Sequence, residues 1–184
     1  MIGVLVSGRG TNLQALIDDG LPIAAVASNK AGVLALARAR GAGIETAVFE
    51  LDDFPTREER DGAMGAWLSD HGVEVVACAG YMQLLTQPFL DLFPGRIVNV
   101  HPSLLPAFPG TTPIEDALAA GVSETGVTVH LVDEGVDSGP VILQERVRVD
   151  KRDTADSLRE RLHEVEHRLL PYGVRLLLEG KAAP

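Results

Sequence analysis

The chain has a single cysteine, Cys78, among its 184 residues. One thiol cannot build an intrachain disulfide framework. Inside the apolar run Val75-Val76-Ala77-Cys78-Ala79 it reads as a small buried hydrophobe. A reducing cytoplasm is the compartment this usage points to. Long hydrophobic runs are missing as well. The apolar stretches are strand-sized, so no membrane-spanning helix is expected. No basic segment precedes Ile2-Gly3-Val4-Leu5-Val6, so no secretory leader is expected. Basic charge is in short supply: 16 Lys and Arg stand against 26 Asp and Glu, a formal net charge of −10. The cations are scattered among acids, as in Arg57-Glu58-Glu59-Arg60-Asp61. Phosphate-backbone binding needs clustered cations, so nucleic acid is not an expected partner, although a small anion held by local donors is. Hydrophobic residues reach 46% against 23% charged, a globular composition. Repeats, low-complexity tracts and linkers are absent, so the expectation is one domain over residues 1–184.

What is present alternates between strand-like and helix-like segments. Ile2 to Val6, Ile23 to Ala27, Ile44 to Phe49, Val73 to Ala79 and Ile97 to Val100 read as strands. Between them, Thr11 to Asp19, Val33 to Arg40 and Thr56 to His71 read as helices, and Pro88 starts a short one. Thr11 and Gln14 are spaced as a capping box, and so are Thr56 and Glu59. After a proline-rich loop, Thr112-Pro113-x-Glu115 caps a helix ending at Gly121. Two strands follow, Thr125 to Val132 and Val141 to Val149, joined by an acidic turn. A last helix starts at Asp153 or Thr154 with the apolar stripe Leu158, Leu162, Val165 and Leu169, and Pro171 with Gly173 is expected to break or kink it. The rhythm predicts an α/β fold: a doubly wound, mainly parallel sheet with an antiparallel C-terminal extension.

The stretch from Asn99 to Gly110, Asn-Val-His-Pro-Ser-Leu-Leu-Pro-Ala-Phe-Pro-Gly, is the most informative. Side chains at i and i+2 of a strand share a face, so Asn99 and His101 point the same way at the strand's C-terminal end. That edge is where ligands bind in open α/β sheets. An amide donor and an imidazolium can stabilise a developing oxyanion, and an imidazole can move a proton. An isolated Asn-x-His more often serves only the backbone of a turn. Here Pro102, Pro106 and Pro109 stiffen the following loop, which favours a site.

Two further segments carry chemistry. Ser7-Gly8-Arg9-Gly10-Thr11-Asn12 joins a strand to a helix, but Leu13 replaces the third glycine of a dinucleotide fingerprint. No Gly-Lys-Ser/Thr of a nucleotide P-loop is present either. Glycines, a helix start and the side chains of Thr11 and Asn12 fit a single terminal phosphate, or else a plain tight turn. Asp133-Glu134-Gly135-Val136-Asp137-Ser138-Gly139 lacks EF-hand spacing and a His/Cys cluster, so no metal is expected. Asp133 and Glu134 read as solvated charges. Asp137, framed by glycines, can be aimed inward, and a carboxylate beside His101 would favour the imidazolium form.

Taken together the chain resembles the phosphoribosylglycinamide formyltransferases. The matching segments are Ser7 to Ala15, Ala79-Gly80-Tyr81-Met82, Asn99 to Pro106, Gly126-Val127-Thr128-Val129-His130, Asp137 to Ile142 and Glu166-His167, in family order. The resemblance implies transfer of a formyl group from 10-formyltetrahydrofolate to the amine of glycinamide ribotide. It places the catalytic trio on Asn99, His101 and Asp137, the ribotide phosphate on Gly10, Thr11 and Asn12, and the ribose on Glu166. The folate falls to Met82, Gln83, Leu84 and Leu85, with its pterin against Val132, Asp133 and Glu134 up to Asp137, contact from Asn99, and its glutamate tail near Arg57. Small-molecule partners, no membrane and a monomer or homodimer go with this reading.

Two positions depart from the family pattern. Gln83 stands where an arginine is common, and Thr111-Thr112-Pro113-Ile114 lacks a histidine common there. His130 could take part of that role, though a structural strand histidine is the plainer reading. Methionyl-tRNA formyltransferases share the folate-using core but need a second domain and a basic surface. Formyltetrahydrofolate hydrolases usually carry an extra regulatory domain, and a pure binding module would not require Asn99, His101 and Asp137.

Overall fold

Ile2–Val6 forms the first strand, β1, and every one of its residues is buried. A strand buried on both faces belongs inside a parallel sheet covered by helices, and its unbroken apolar run reflects that. The computed structural model describes residues 1–181, in two compact units: Met1–Val98, and residue 99 onward.

In the first unit β1 is flanked by β2 (Ile23–Ser28) and β4 (Val75–Cys78), with β3 (Glu45–Val48) beyond β2. All three pairings are parallel. The helices are α1 (Thr11–Asp18), α2 (Leu34–Gly41), α3 (Arg57–Asp70) and α4 (Gln87–Leu90). The α3 start is as expected: Thr56 is the N-cap and its hydroxyl accepts from the Glu59 N–H at 3.1 Å. The α1 start is not. Gly10, left-handed at φ 73°, is the N-cap, which makes Thr11 the first helical residue and rules out the capping box expected of it. Gln14 instead donates to Asp18 at 2.8 Å and accepts from Arg38 at 3.1 Å.

Strand β5 (Ile97–His101) runs across the unit boundary. The sheet order is β3-β2-β1-β4-β5 up to it and β5-β6-β7 beyond it. The second unit contains α5 (Pro113–Ala119), β6 (Glu124–Leu131), β7 (Val141–Arg148) and α6 (Ala155–Leu178). Strands β6 and β7 are antiparallel. The fold is therefore the expected α/β class, mainly parallel with an antiparallel C-terminal extension. Thr112 is the N-cap of α5, but its hydroxyl donates to Asp116 at 3.1 Å rather than capping the backbone.

Helix α6 corrects two expectations. It continues through Pro171 and Gly173 to Leu178 without a break. Its buried row is Leu158, Leu162, Glu166, Leu170 and Val174, spaced by four, so Leu169 lies off the face expected of it. The helix packs on β6 and β7, and Gly173 is at the closest approach. A Cβ there would lie 2.6 Å from Val129 Cγ1, so the glycine serves packing rather than termination.

The β6–β7 ladder makes a stricter demand at Gly126, where a Cβ would lie 2.1 Å from the Glu145 carbonyl oxygen and 2.4 Å from Leu104. Backbone cannot yield as a side-chain tip can. Gly126→Ala is expected to cost about 3 kcal/mol in stability, read by denaturant unfolding. A change within about 0.5 kcal/mol would show that β7 shifts freely.

Candidate active site

The end of β5 presents Asn99 and His101 on one face of the second unit, as alternation requires. His101 is almost wholly buried. Its Nε2 donates to the Phe108 carbonyl at 2.8 Å, and its Nδ1 faces Asp137 Oδ2 at 3.3 Å. Both ring nitrogens thus point at oxygen acceptors, and the ring can donate to both only as imidazolium. Asp137 Oδ2 also accepts from the Gly110 N–H at 2.9 Å. The other oxygen, Oδ1, lies 3.5 Å from Asn99 Nδ2 and 3.6 Å from His130 Nε2.

The acidic turn aims Asp137 at this cluster. Asp137 itself is left-handed at φ 51°, an uncommon conformation that aspartate tolerates better than most residues. A Cβ on Gly139 would lie 1.9 Å from the Leu131 carbonyl oxygen, so the chain leaves the turn through a gap only glycine fits. Burial opposes ionisation of Asp137. The His130 interaction, the Gly110 N–H and the neighbouring imidazoles outweigh it and hold the carboxyl below its ordinary value of 3.8.

His130, on β6, also lies in the cluster. Its Nδ1 lies 2.8 Å from the Leu131 carbonyl, so that nitrogen carries the proton, and Nε2 lies 3.2 Å from Asn99 Nδ2.

The proline loop is clamped from β6 and β7. Thr128 Oγ1 donates to the Ser103 carbonyl at 2.7 Å and accepts from the Leu105 N–H at 3.1 Å. Gln144 Nε2 donates to the Leu105 carbonyl at 3.0 Å and to Thr128 Oγ1 at 2.8 Å. Ser103, buried, donates to the Ala107 carbonyl at 2.6 Å. These bonds fix the segment that brings the Phe108 carbonyl and the Gly110 N–H to His101 and Asp137.

Of the other expected site residues, Val132 is half-buried while Asp133 and Glu134 are exposed in the acidic turn. Asp133 Oδ1 accepts from the Gly135 N–H and Ser138 hydroxyl at 3.0 and 2.8 Å. Glu166 is buried on α6.

Gly10, Thr11 and Asn12 lie in the first unit at the start of α1. The loop before them is tied to α2: the Ala35 N–H donates to the Gly8 carbonyl at 3.1 Å, and Arg38 Nε to the Arg9 carbonyl at 3.0 Å. With those carbonyls engaged, the N–H groups of the first turn define the face the loop presents. Gly10 is required twice over, by its φ and because a Cβ would lie 2.7 Å from Ala35 Cα.

The Met82–Leu85 segment is also in the first unit. Beside it Arg60 and Asp61 are fully buried and paired at 2.5 Å. Arg60 also donates to the side-chain oxygen of Gln83, and Arg57 to the Leu84 carbonyl. An arginine at 83 would set its own cation against Arg60. Among the described residues no group of three or more His, Cys, Asp and Glu side chains is arranged to hold a metal ion.

The depressed Asp137 carboxyl gives a signed pH effect. The stability it contributes is present above 3.8 and is lost as pH falls through the lower folded value. The difference in melting temperature between wild type and Asp137→Asn is therefore expected to close as pH is lowered from about 5 to below that value. A difference that stays constant across the range would contradict the assignment.

The formyl transferase family matches residues 1–174. The chain is 46% identical over 187 aligned positions to a "Trifunctional purine biosynthetic protein adenosine-3" from Chironomus tentans, covering 97% of this chain but only 14% of that protein. It spans only a small part of the trifunctional relatives it matches. It is 41% identical to the "Phosphoribosylglycinamide formyltransferase" of Haemophilus influenzae, covering 98% of this chain and 88% of that one. A solved glycinamide ribonucleotide transformylase 1 from Symbiobacterium toebii superposes with a TM-score of 0.95 at 46% identity, over 97% and 87% of the two chains. The chain belongs to the formyl transferase family.

Proposed function

We propose that the protein is a phosphoribosylglycinamide formyltransferase, moving the formyl group of 10-formyltetrahydrofolate onto the amine of 5-phosphoribosylglycinamide in purine biosynthesis. The observation that carries this reading is Asp137 within reach of His101, Asn99 and His130. The relatives' names supply the substrate class. The chain acts as a single formyltransferase domain, since the family match runs through the boundary between the two units. It works in the cytoplasm as a monomer or homodimer. Among the described residues no helix is long and apolar enough to cross a membrane.

The ribotide amine attacks the formyl carbon, forming the new C–N bond and pushing charge onto the formyl oxygen. The Asn99 carboxamide donates to that oxygen, and His101, as imidazolium, stabilises it by its charge. Asp137 orients His101 and, through water, accepts the proton the amine sheds. Collapse breaks the bond from the formyl carbon to the folate nitrogen, which leaves with a proton. Gly10, Thr11 and Asn12 hold the ribotide phosphate and Glu166 the ribose. Arg57, Met82, Gln83, Leu84, Leu85, Asn99, Val132, Asp133 and Glu134 hold the folate. Neither candidate nucleophile suits a formyl-enzyme intermediate. Cys78 is buried, which pushes its thiol up to about 12, and the Ser103 hydroxyl is spent on a backbone carbonyl.

With labelled 10-formyltetrahydrofolate, formyl transfer is expected to glycinamide ribotide and not to charged methionyl-tRNA or water. Asn99→Ala is expected to lower turnover about a hundredfold or more by removing one oxyanion donor. Transfer to tRNA or water instead, or label trapped on the protein without ribotide, would contradict the reading.

A further inference from the structure

Residues 81–86 carry no regular structure between β4 and α4, so their backbone polar groups need partners from outside a ladder. Side chains of the first unit supply them. The Met82 N–H donates to Ser7 Oγ at 3.0 Å, and Ser7 Oγ donates to Asn29 at 2.6 Å. Arg57 donates to the Leu84 carbonyl and Arg60 to the Gln83 side chain. Asp61 Oδ2 accepts from both the N–H and the hydroxyl of Thr86, each at 2.8 Å. Four of the five residues from 82 to 86 are thus tied down, while the side chains of Met82 and Leu84 stay largely exposed.

Arg60 and Asp61 are the unusual members of this set. Arg60 places Nε and Nη2 on the same Asp61 oxygen, which leaves the other oxygen for Thr86 and Nη1 for Gln83. Both side chains are fully buried. Desolvating two charges consumes most of what their attraction returns, so such a pair is a poor stabiliser compared with apolar residues of similar size. What apolar residues could not do is hold Gln83 and Thr86.

We propose that the buried Arg60–Asp61 pair is a positioning device that sets the backbone of Met82–Thr86 for the formyl donor. This rests on the assignment of that segment to the folate. Neither residue touches the donor; both act through the segment they hold.

Calorimetric titration with tetrahydrofolate and, separately, with glycinamide ribotide tests the inference on the whole chain. Wild type is compared with Arg60→Met/Asp61→Leu, Thr86→Val and Thr86→Ser, with melting temperature recorded for each. The double variant is expected to melt at or above wild type and to bind tetrahydrofolate at least tenfold more weakly, with ribotide affinity within twofold. Thr86→Val is expected to weaken tetrahydrofolate three- to tenfold, and Thr86→Ser to restore it. If the double variant fails to fold, the Thr86 pair decides. Equal weakening of both ligands, or undiminished tetrahydrofolate binding by Thr86→Val, overturns the inference. A wild type that binds ribotide but no tetrahydrofolate overturns the donor assignment, and the inference with it.

Discussion

The second unit is organised around the carboxylate of Asp137. Its Oδ2 meets His101 and the Gly110 N–H, while Oδ1 lies near Asn99 and His130. Those four groups come from β5, the proline loop that follows it and β6, so one anion couples three pieces of chain. The anion is largely buried and is held in charged form by the donors it gathers. Each constraint around it then has a purpose. Gly139 lets the turn pass the Leu131 carbonyl, the Thr128–Gln144 clamp fixes the loop carrying Gly110, and strand alternation aligns Asn99 with His101. Removing the carboxylate would leave two imidazoles and an amide with no common partner.

The first unit solves a related problem with different materials. An irregular segment has to hold its shape, and the ties that hold it come from a serine, two arginines and an aspartate rather than from neighbouring strands. In both units a buried ionic group is accepted where it fixes irregular backbone. Apolar packing supplies the stability: β1, the leucines of α1 and the i+4 row of α6 are buried almost without polar interruption.

Much of this was legible in the sequence. Strand-length apolar runs and helical patterning marked the strands, most helices and the antiparallel ending. Asn99 and His101 were legible because the face they share follows from alternation alone. Asp137 stood out from Asp133 and Glu134 through its flanking glycines. The place of His130 beside Asn99 was not legible, because it depends on what β5 sets next to it, and pairing is not written in a single strand. The burial of Arg60 and Asp61 was not legible for a similar reason: it depends on Gln83 and Thr86 folding against them. Gly10 took the N-cap expected of Thr11, because its left-handed φ closes the turn one residue earlier. Pro171 did not end α6, because packing on β6 and β7 outweighs one lost backbone hydrogen bond.

The most direct test of Asp137 as the organising charge is the single-turnover rate of formyl transfer by Asp137→Asn with both substrates saturating. The amide keeps the shape of the carboxylate and removes its charge. The account predicts a rate about a hundredfold below wild type or lower, the scale typical of losing one charge-stabilising element at a reacting centre. A rate within threefold of wild type would contradict it.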